Sequence, residues 1–181
     1  HGSTANFLNL HRVQSGRLEV HLLPTAIRSL VLDTLLILRP MAEAKQLRVS
    51  LQIDFPPEQR VCVRADPECL ALILSNLISN AIKYTPNGGA ITIRVSRELA
   101  GSALACCSVE DTGIGITPQE RERILSGSYR TEEGREAAGG FGIGLMLIEE
   151  LLAKHGSRLE LESEVGKGSR FHFCLPLWEA A

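Results

Sequence analysis

Four polar side chains recur at helical spacing in one stretch of the chain, where they could together hold a metal ion and a phosphate. They are Asn76, Asn80, Lys83 and Tyr84, at positions i, i+4, i+7 and i+8. At about 100° per residue they share one face of a helix, beside a separate apolar stripe. An amide oxygen can ligate a divalent cation, and a lysine can pair with a phosphate. A solvated helix face has the same pattern, so this row alone leaves both interpretations open.

A carboxylate followed by two glycines forms the second candidate. Asp111 ends an apolar run, and Gly113 and Gly115 follow it at alternate positions. A carboxylate there can accept a hydrogen bond from an exocyclic amine such as that of adenine, and glycines let the backbone approach a flat base closely. The alternative is a turn that merely ends a strand, because this short pattern has limited specificity.

The third candidate is the glycine-rich segment 139–145, which leads into an apolar helix. Its glycines can aim successive backbone N–H groups at an anion, and the helix N-terminus adds its dipole. A flexible linker is the alternative, but helix onset directly after Gly144 disfavours it. The G-x-G-x-G spacing differs from the dinucleotide-binding fingerprint, and segment 166–169 lacks the upstream glycine of a P-loop.

The elements that must position these residues follow from periodicity and from helix and turn signals. Asp66 and Pro67 are typical of an N-cap and a first helical residue. Helices are predicted at residues 5–14, 24–46 and 66–84, in a short segment after Thr117, and after Gly144 as far as His155. Strands are predicted at 17–22, 47–55, 61–64, 90–97, 103–110, 159–163 and 169–175. Neighbouring strands without helices between them predict an α+β fold, a two-layer sandwich with three main helices on one face of a mixed sheet.

The composition favours some classes of protein and disfavours others. The 181 residues are 44% hydrophobic and 22% charged with a net charge of −2, which is typical of a soluble globular protein and gives no general affinity for nucleic acid. No apolar run approaches the roughly 20 residues that a membrane span needs. An odd, scattered set of cysteines predicts reduced, buried thiols and a cytoplasmic location. These are Cys62, Cys69, Cys106, Cys107 and Cys174.

The motifs, in this order, resemble those of the GHKL (Bergerat-fold) ATPases, and within them the catalytic domains of sensor histidine kinases. Residues 76–84 with Thr85 and Pro86 match the N box, and 111–115 match the G1 box. Residues 140–145 match the G2 box, and 166–171 match the closing glycine motif. The resemblance covers about residues 17–177, and four motifs in order are far more specific than any one of them.

The resemblance implies ATP and Mg²⁺ as ligands and gives each matching residue a role. Asn80 is expected to ligate Mg²⁺ with Asn76 nearby, Lys83 to pair with phosphate, and Tyr84 to lie against the adenine ring. Asp111 is expected to accept a hydrogen bond from the exocyclic amine of adenine. Supporting contacts to base and phosphates are expected from Gly113, Gly115, Ile116, Gly140, Gly142, Gly144, Leu145 and, through water, Ser169.

The sequence departs from the family in the lid over ATP, expected at residues 117–140. The family usually carries a phenylalanine-rich stretch there, whereas segment 125–130 reads Leu-Ser-Gly-Ser-Tyr-Arg. Tyr129 and Arg130 preserve the end of the pattern, so Arg130 is expected to contact the terminal phosphate and to act in catalysis with Asn80 and Lys83.

The expected organisation is a cloning remnant at 1–4, the end of a truncated dimerisation helix at 5–16, and an ATP-binding catalytic domain at 17–181. None of the five histidines matches the family's phospho-acceptor motif; these are His1, in the expected cloning remnant, and His11, His21, His155 and His172. Phosphoryl transfer is therefore expected to a histidine on a dimerisation domain absent here, and from there to a response regulator. The fragment is expected to be a monomer and the full-length protein a homodimer.

Two alternatives remain. One is a degenerate, non-catalytic module for nucleotide binding or docking, which the altered lid favours and the intact motifs oppose. The other is a different GHKL ATPase, such as an anti-sigma serine kinase, a chaperone, a repair ATPase or a topoisomerase. The leading segment 8–18 resembles the exit from a kinase dimerisation helix, which argues against this second alternative.

Overall fold

The computed structural model describes residues 2–15, 18–99, 101–126 and 142–178. The helices are α1 (Gly2–Gln14), α2 (Ile27–Ala44), α3 (Pro67–Tyr84), α4 (Pro118–Ser126) and α5 (Gly142–Lys154). The strands are β1 (Leu23–Ala26), β2 (Arg48–Ile53), β3 (Cys62–Ala65), β4 (Ala90–Arg97), β5 (Leu104–Asp111), β6 (Glu160–Glu164) and β7 (Gly168–Pro176). Within these ranges, no helix is both long enough and apolar enough to cross a membrane.

Five strands form one mixed sheet in the order β2-β4-β5-β7-β6, with β2 parallel to β4 and the other pairs antiparallel. Helices α2 and α5 both pack against α3, which lies over β5. This arrangement confirms the predicted α+β sandwich with a mixed sheet. A separate antiparallel pair, β1 and β3, lies beside it.

The first strand is not where the sequence placed it. The prediction of a strand at 17–22 and of a helix starting at Pro24 is wrong, because β1 covers Leu23–Ala26 and α2 begins only at Ile27. Thr25 is buried and its hydroxyl donates to the carbonyl of Ala65 at 2.8 Å, which ties this segment to β3. Pro24 tolerates an edge strand as well as a helix start, so local signals could not decide between them.

One face of the sheet is apolar and lies under the helices. The alternation of side chains aligns three rows across β4, β5 and β7. The rows are Val95–Cys107–Phe173, Ile93–Val109–Phe171 and Ile91–Asp111–Ser169. All nine side chains are buried. The third row therefore brings a carboxylate and a hydroxyl to the helix side of the sheet, at the end of the core.

Both ends of α3 are fixed by polar contacts. Asp66 caps the first turn, where Oδ1 accepts the backbone N–H groups of Glu68 and Cys69 at 3.0 and 3.1 Å. The Asp66 N–H donates to Nε2 of His155, whose Nδ1–H donates to the carbonyl of Leu151, so this buried imidazole links α5 to the start of α3. These contacts fix the direction and the register of the helix that carries the polar row.

The far end of α3 is held by a lysine from the segment after α2. Nζ of Lys45 donates to the carbonyls of Ile82 and Lys83 at 2.7 and 3.1 Å. A cation at the negative end of the helix dipole stabilises the last turn.

Two cysteines contradict the prediction that all five are reduced. Cys106 on β5 and Cys174 on β7 are joined by a disulfide. They are direct partners in the antiparallel register, with Cα atoms 4.0 Å apart, a proximity that no sequence spacing reveals. Cys69 and Cys107 are free and buried, and burial raises the pKa of each thiol to about 12. Cys62 is free and half-buried.

The cap of α3 gives a first prediction. Burial alone would raise the pKa of Asp66, but the N–H groups of His21, Cys69 and Glu68 hold that pKa below its ordinary value. Asp66→Ala should lower the free energy of unfolding at pH 7 by about 1 kcal/mol, the usual value of an N-cap. The wild type should lose this advantage as the pH falls below about 4, through the depressed pKa of the folded state.

Urea denaturation at pH 7 and at lower pH measures both effects. Asp66→Asn is the matched control, because its amide oxygen can still accept from the first turn and should retain more stability than alanine. Equal stability of the alanine variant and the wild type at pH 7 would contradict the capping role.

Candidate functional site

The candidate site begins with the buried carboxylate at the end of β5. Asp111 is only 7% exposed, and its Oδ1 accepts the backbone N–H of Gly113 at 2.8 Å. Burial raises the pKa of Asp111, although the N–H groups of Gly113 and Ser169 oppose that rise. An ionised carboxylate has about four acceptor positions, so these contacts leave capacity for a donor from a ligand.

Three segments of the chain meet at this carboxylate and line one cavity. Helix α3, the loop after β5 and the start of β7 all contribute. The lining residues are Asn80, Ala81, Tyr84, Asp111, Ile114, Gly115, Ser169 and Phe171. Five of the residues selected from the sequence are thus brought together: Asn80, Tyr84, Asp111, Gly115 and Ser169.

Asn80 carries an unused donor in this cavity. Its Nδ2 is buried and has no hydrogen-bond partner among the described residues. Because a buried polar group without a partner costs about 1–3 kcal/mol, such an atom in a native protein calls for an explanation. A ligand that meets the Asn80 amide in the cavity would supply one.

Asn76, one turn before Asn80 on α3, has partners for both atoms of its amide. It is buried, its Oδ1 accepts from Nδ2 of Asn6 at 2.7 Å, and its own Nδ2 donates to the carbonyl of Leu72 at 2.8 Å. The amide is thus committed to protein contacts, including one with α1. The sequence pattern did not distinguish Asn76 from Asn80.

Lys83 and Tyr84 lie at the end of α3. Lys83 is exposed, and its Nζ stands 5.0 Å from the centroid of the Tyr84 ring. The carbonyl of Tyr84 accepts the backbone N–H of Ile114 at 3.2 Å. This bond attaches the loop after β5 directly to the helix and so joins the two predicted motifs.

Gly113 is required by this close approach. A Cβ at Gly113 would lie 2.5 Å from Oδ1 of Asp111 and 2.6 Å from the carbonyl oxygen of Tyr84. Neither neighbour can retreat easily, because the first is buried and the second belongs to the backbone. The loop can therefore pass between β5 and α3 only where no side chain is present.

A serine that the sequence analysis did not select completes the site. Oγ of Ser163 accepts the N–H of Ile116 at 2.8 Å and donates to the carbonyl of Gly168 at 2.9 Å. It also lies 2.8 Å from Oγ of Ser169. Since a hydroxyl has one proton, Ser169 is the donor in that contact. The only hint in the sequence is the position of Ser163 at a strand end, opposite the closing glycine motif.

Of the remaining predicted residues, some lie outside the residues that the structure describes. Arg130 and Gly140 fall in the range 127–141, which is not among the described residues, as does most of the predicted lid. Gly142 and Leu145 are buried in the first turn of α5, and Gly144 faces Oδ1 of Asn76, to which a Cβ would approach within 3.1 Å. Helix α4 begins with the predicted capping box, in which Thr117 and Glu120 exchange hydrogen bonds.

A family model described as "Histidine kinase-, DNA gyrase B-, and HSP90-like ATPase" matches residues 65–179. The chain is 34% identical over 173 residues to the adaptive-response sensory kinase SasA of Synechococcus sp. strain JA-3-3Ab. It is 35% identical over 173 residues to the circadian input-output histidine kinase CikA of Synechococcus elongatus. These matches cover 96% and 94% of the chain but only 44% and 22% of the two relatives, so the chain spans less than half of either.

Solved structures give the same picture. Full-length ShkA in complex with AMPPNP matches 97% of this chain with a TM-score of 0.79 and 28% identity, over 35% of its own length. The catalytic domain of the histidine kinase ThkA matches 88% of this chain and 96% of its own length, with a TM-score of 0.70 and 22% identity. The latter identity supports the fold alone.

The turn between β6 and β7 gives a second prediction. Gly168 has φ +112°, and a Cβ there would lie 1.8 Å from the carbonyl oxygen of Asp111. Gly166 has φ +79° with open space around it, so it is a matched control in the same turn. Gly166→Ala should cost about 1–2 kcal/mol from left-handed backbone strain. Gly168→Ala should cost roughly 1–3 kcal/mol more, because of overpacking. Equal urea midpoints for the two variants would refute the close approach of β7 to Asp111.

Proposed function

Since this chain belongs to the histidine kinase-, DNA gyrase B- and HSP90-like ATPase family, we propose that it binds Mg²⁺–ATP and transfers the γ-phosphoryl group to a histidine on a dimerisation domain. The observation that carries the proposal is the cavity lined both by the buried carboxylate of Asp111 and by Asn80, whose buried Nδ2 has no partner among the described residues. Both groups lost hydration on folding, and both are left with hydrogen-bonding capacity that a polar ligand would use.

Asp111 is proposed to recognise the base. The adenine exocyclic amine is a donor that a buried carboxylate binds well and that other purine nucleotides lack at this position. Tyr84 lies against the ring in this proposal, and Gly115 and Ile114 also line the cavity. Ser169, which donates to Ser163, keeps its lone pairs for a bridging water.

Asn80 is proposed to ligate Mg²⁺ through its amide oxygen. The fit rests on the unpartnered nitrogen: Nδ2 of Asn80 could donate to a phosphate oxygen while the amide oxygen ligates the metal. When bound, the metal neutralises charge on the transferring phosphoryl group. The exposed ammonium of Lys83 is placed at the same end of α3 to attract the phosphates.

The phosphate chain is proposed to follow the start of α5. The helix N-terminus carries partial positive charge, and Gly140, Gly142 and Gly144 belong to the glycine-rich segment that enters it. Arg130 is proposed to contact the terminal phosphate from the lid. These roles follow from the order of the motifs along the chain.

The acceptor and later partners are also proposals. The relatives are named sensory and circadian histidine kinases, which favours this function over the other activities found in the ATPase superfamily. A histidine on a dimerisation domain would receive the phosphoryl group, and a response regulator would receive it next. Positioning the nucleophile in line with the γ-phosphate is the task of that second domain.

Replacing Asp111 tests base recognition. Asp111→Asn keeps the shape and an acceptor for the Gly113 N–H, but adds a donor that opposes the adenine amine. Nucleotide binding measured by calorimetry should weaken by roughly 1–3 kcal/mol, the penalty for mispairing a buried polar group. Glu110→Gln is the control, because that neighbouring carboxylate is exposed. Wild-type affinity in the Asp111 variant would refute the proposed pocket.

Asp111→Asn should weaken nucleotide binding but increase the stability of the unliganded protein. Because burial raises the pKa of Asp111, its ionised form opposes folding, and this opposition grows as the pH rises above about 4. Unliganded Asp111→Asn should therefore unfold at a higher urea concentration than the wild type at pH 7. A lower urea midpoint at that pH would show that the charge stabilises the fold.

Replacing Asn80 tests the metal assignment. Asn80→Asp adds a charge at the proposed ligand, so the Mg²⁺ concentration for half-maximal nucleotide binding should shift by about fivefold or more, the effect of a unit charge at roughly 4 Å even in water. Asn87→Asp adds the same charge at an exposed turn and should leave that concentration unchanged. An unaltered Mg²⁺ dependence in Asn80→Asp would remove Asn80 from the metal site.

A further inference from the structure

Helix α1 is docked on the domain by one face. Val13, near its end, is 4% exposed within the core, and the helix packs against α5. Asn6 lies two turns earlier and therefore shares the face of Val13. Leu8 lies on the opposite face and is 61% exposed. The docked face thus runs from the core at Val13 toward the beginning of α5.

At that end, α1 contacts the predicted phosphate site through a side chain. Nδ2 of Asn6 donates to Oδ1 of Asn76 at 2.7 Å. The same Oδ1 faces Gly144, and a Cβ at Gly144 would lie 3.8 Å from Nδ2 of Asn6. Asn6 therefore stands where the polar row of α3 meets the glycine-rich entrance of α5.

This contact leaves Asn76 inaccessible. Its nitrogen donates to the carbonyl of Leu72, its oxygen accepts from Asn6, and the residue is 7% exposed. A metal ion on the phosphates, or a water molecule bound to that metal, would have to displace or compete with Asn6 to engage Oδ1. Asn80, one turn on, has no such cover on its amide nitrogen and remains unpartnered within the described residues.

We infer that Asn6 acts as a gate on the nucleotide site: docking of α1 through the Asn6–Asn76 hydrogen bond competes with the engagement of Asn76 by the phosphate–metal end of a bound nucleotide. The inference rests on the proposed function, and it adds a regulatory contact to that site. Because coupling between two binding events is reciprocal, nucleotide binding must loosen α1 to the same extent that docked α1 weakens nucleotide binding.

Removing the gate tests the first half of this coupling. Asn6→Ala should tighten the binding of Mg²⁺–AMPPNP by about fivefold, the equilibrium effect of one neutral hydrogen bond. Asn9→Ala is the matched control, since Asn9 lies one turn along the same helix and makes no side-chain hydrogen bond within the described residues. Unchanged or weaker binding in Asn6→Ala would overturn the inference, and weaker binding would mean that Asn6 instead positions Asn76.

Hydrogen exchange on the wild type tests the reciprocal half. Backbone amides of α1 should exchange faster in saturating Mg²⁺–AMPPNP than without nucleotide, while those of α3 should not. Unchanged or slower exchange in α1 would also overturn the inference. Failure of the proposed function is distinguishable, because in that case the wild type and both variants would bind no nucleotide at all.

Discussion

The burial of one carboxylate is the constraint on which the rest of the site depends. Asp111 occupies a core-facing position of β5, in the row that continues from Ile91 to Ser169. A charged group there loses hydration, and the backbone N–H groups of Gly113 and Ser169 compensate for part of the loss. The surrounding sequence follows from this: Gly113 must lack a side chain so that its N–H can reach the carboxylate.

The same constraint explains why three distant segments are bound so closely to one another. The loop after Asp111 is attached to α3 through the carbonyl of Tyr84 and to β6 through Oγ of Ser163. Helix α3 is fixed at its start by Asp66 and at its end by Lys45. The segments that line the cavity are therefore tied to one another and to the core by hydrogen bonds rather than by apolar packing alone.

Much of this architecture was predictable because the local signals agree with the tertiary structure. Helix α3 was located to within one residue, since Asp66 and Pro67 mark its start and a proline-glycine turn its end. The mixed sheet followed from strands that lack intervening helices. The wrong predictions concerned features that depend on contacts between distant segments. The strand register pairs Cys106 with Cys174. Pro24 belongs to a strand because that strand pairs with β3.

In the candidate site, too, the sequence predicted local features and missed contacts between elements. Residue type and spacing selected Asn80 and Asp111, because motif chemistry is local. Spacing could not reveal that the equivalent amide of Asn76 is taken by α1, nor that Ser163 connects two loops. Both facts depend on packing between elements, which a helical period does not encode.

The central claim is that a buried carboxylate reads the exocyclic amine of adenine. The most direct measurement is calorimetric titration of the unmodified protein with ATP and with inosine triphosphate, which carries an oxygen in place of that amine. The account predicts binding of ATP and at least about tenfold weaker binding of inosine triphosphate, the consequence of an unmatched buried acceptor. Equal affinities for the two nucleotides would contradict it.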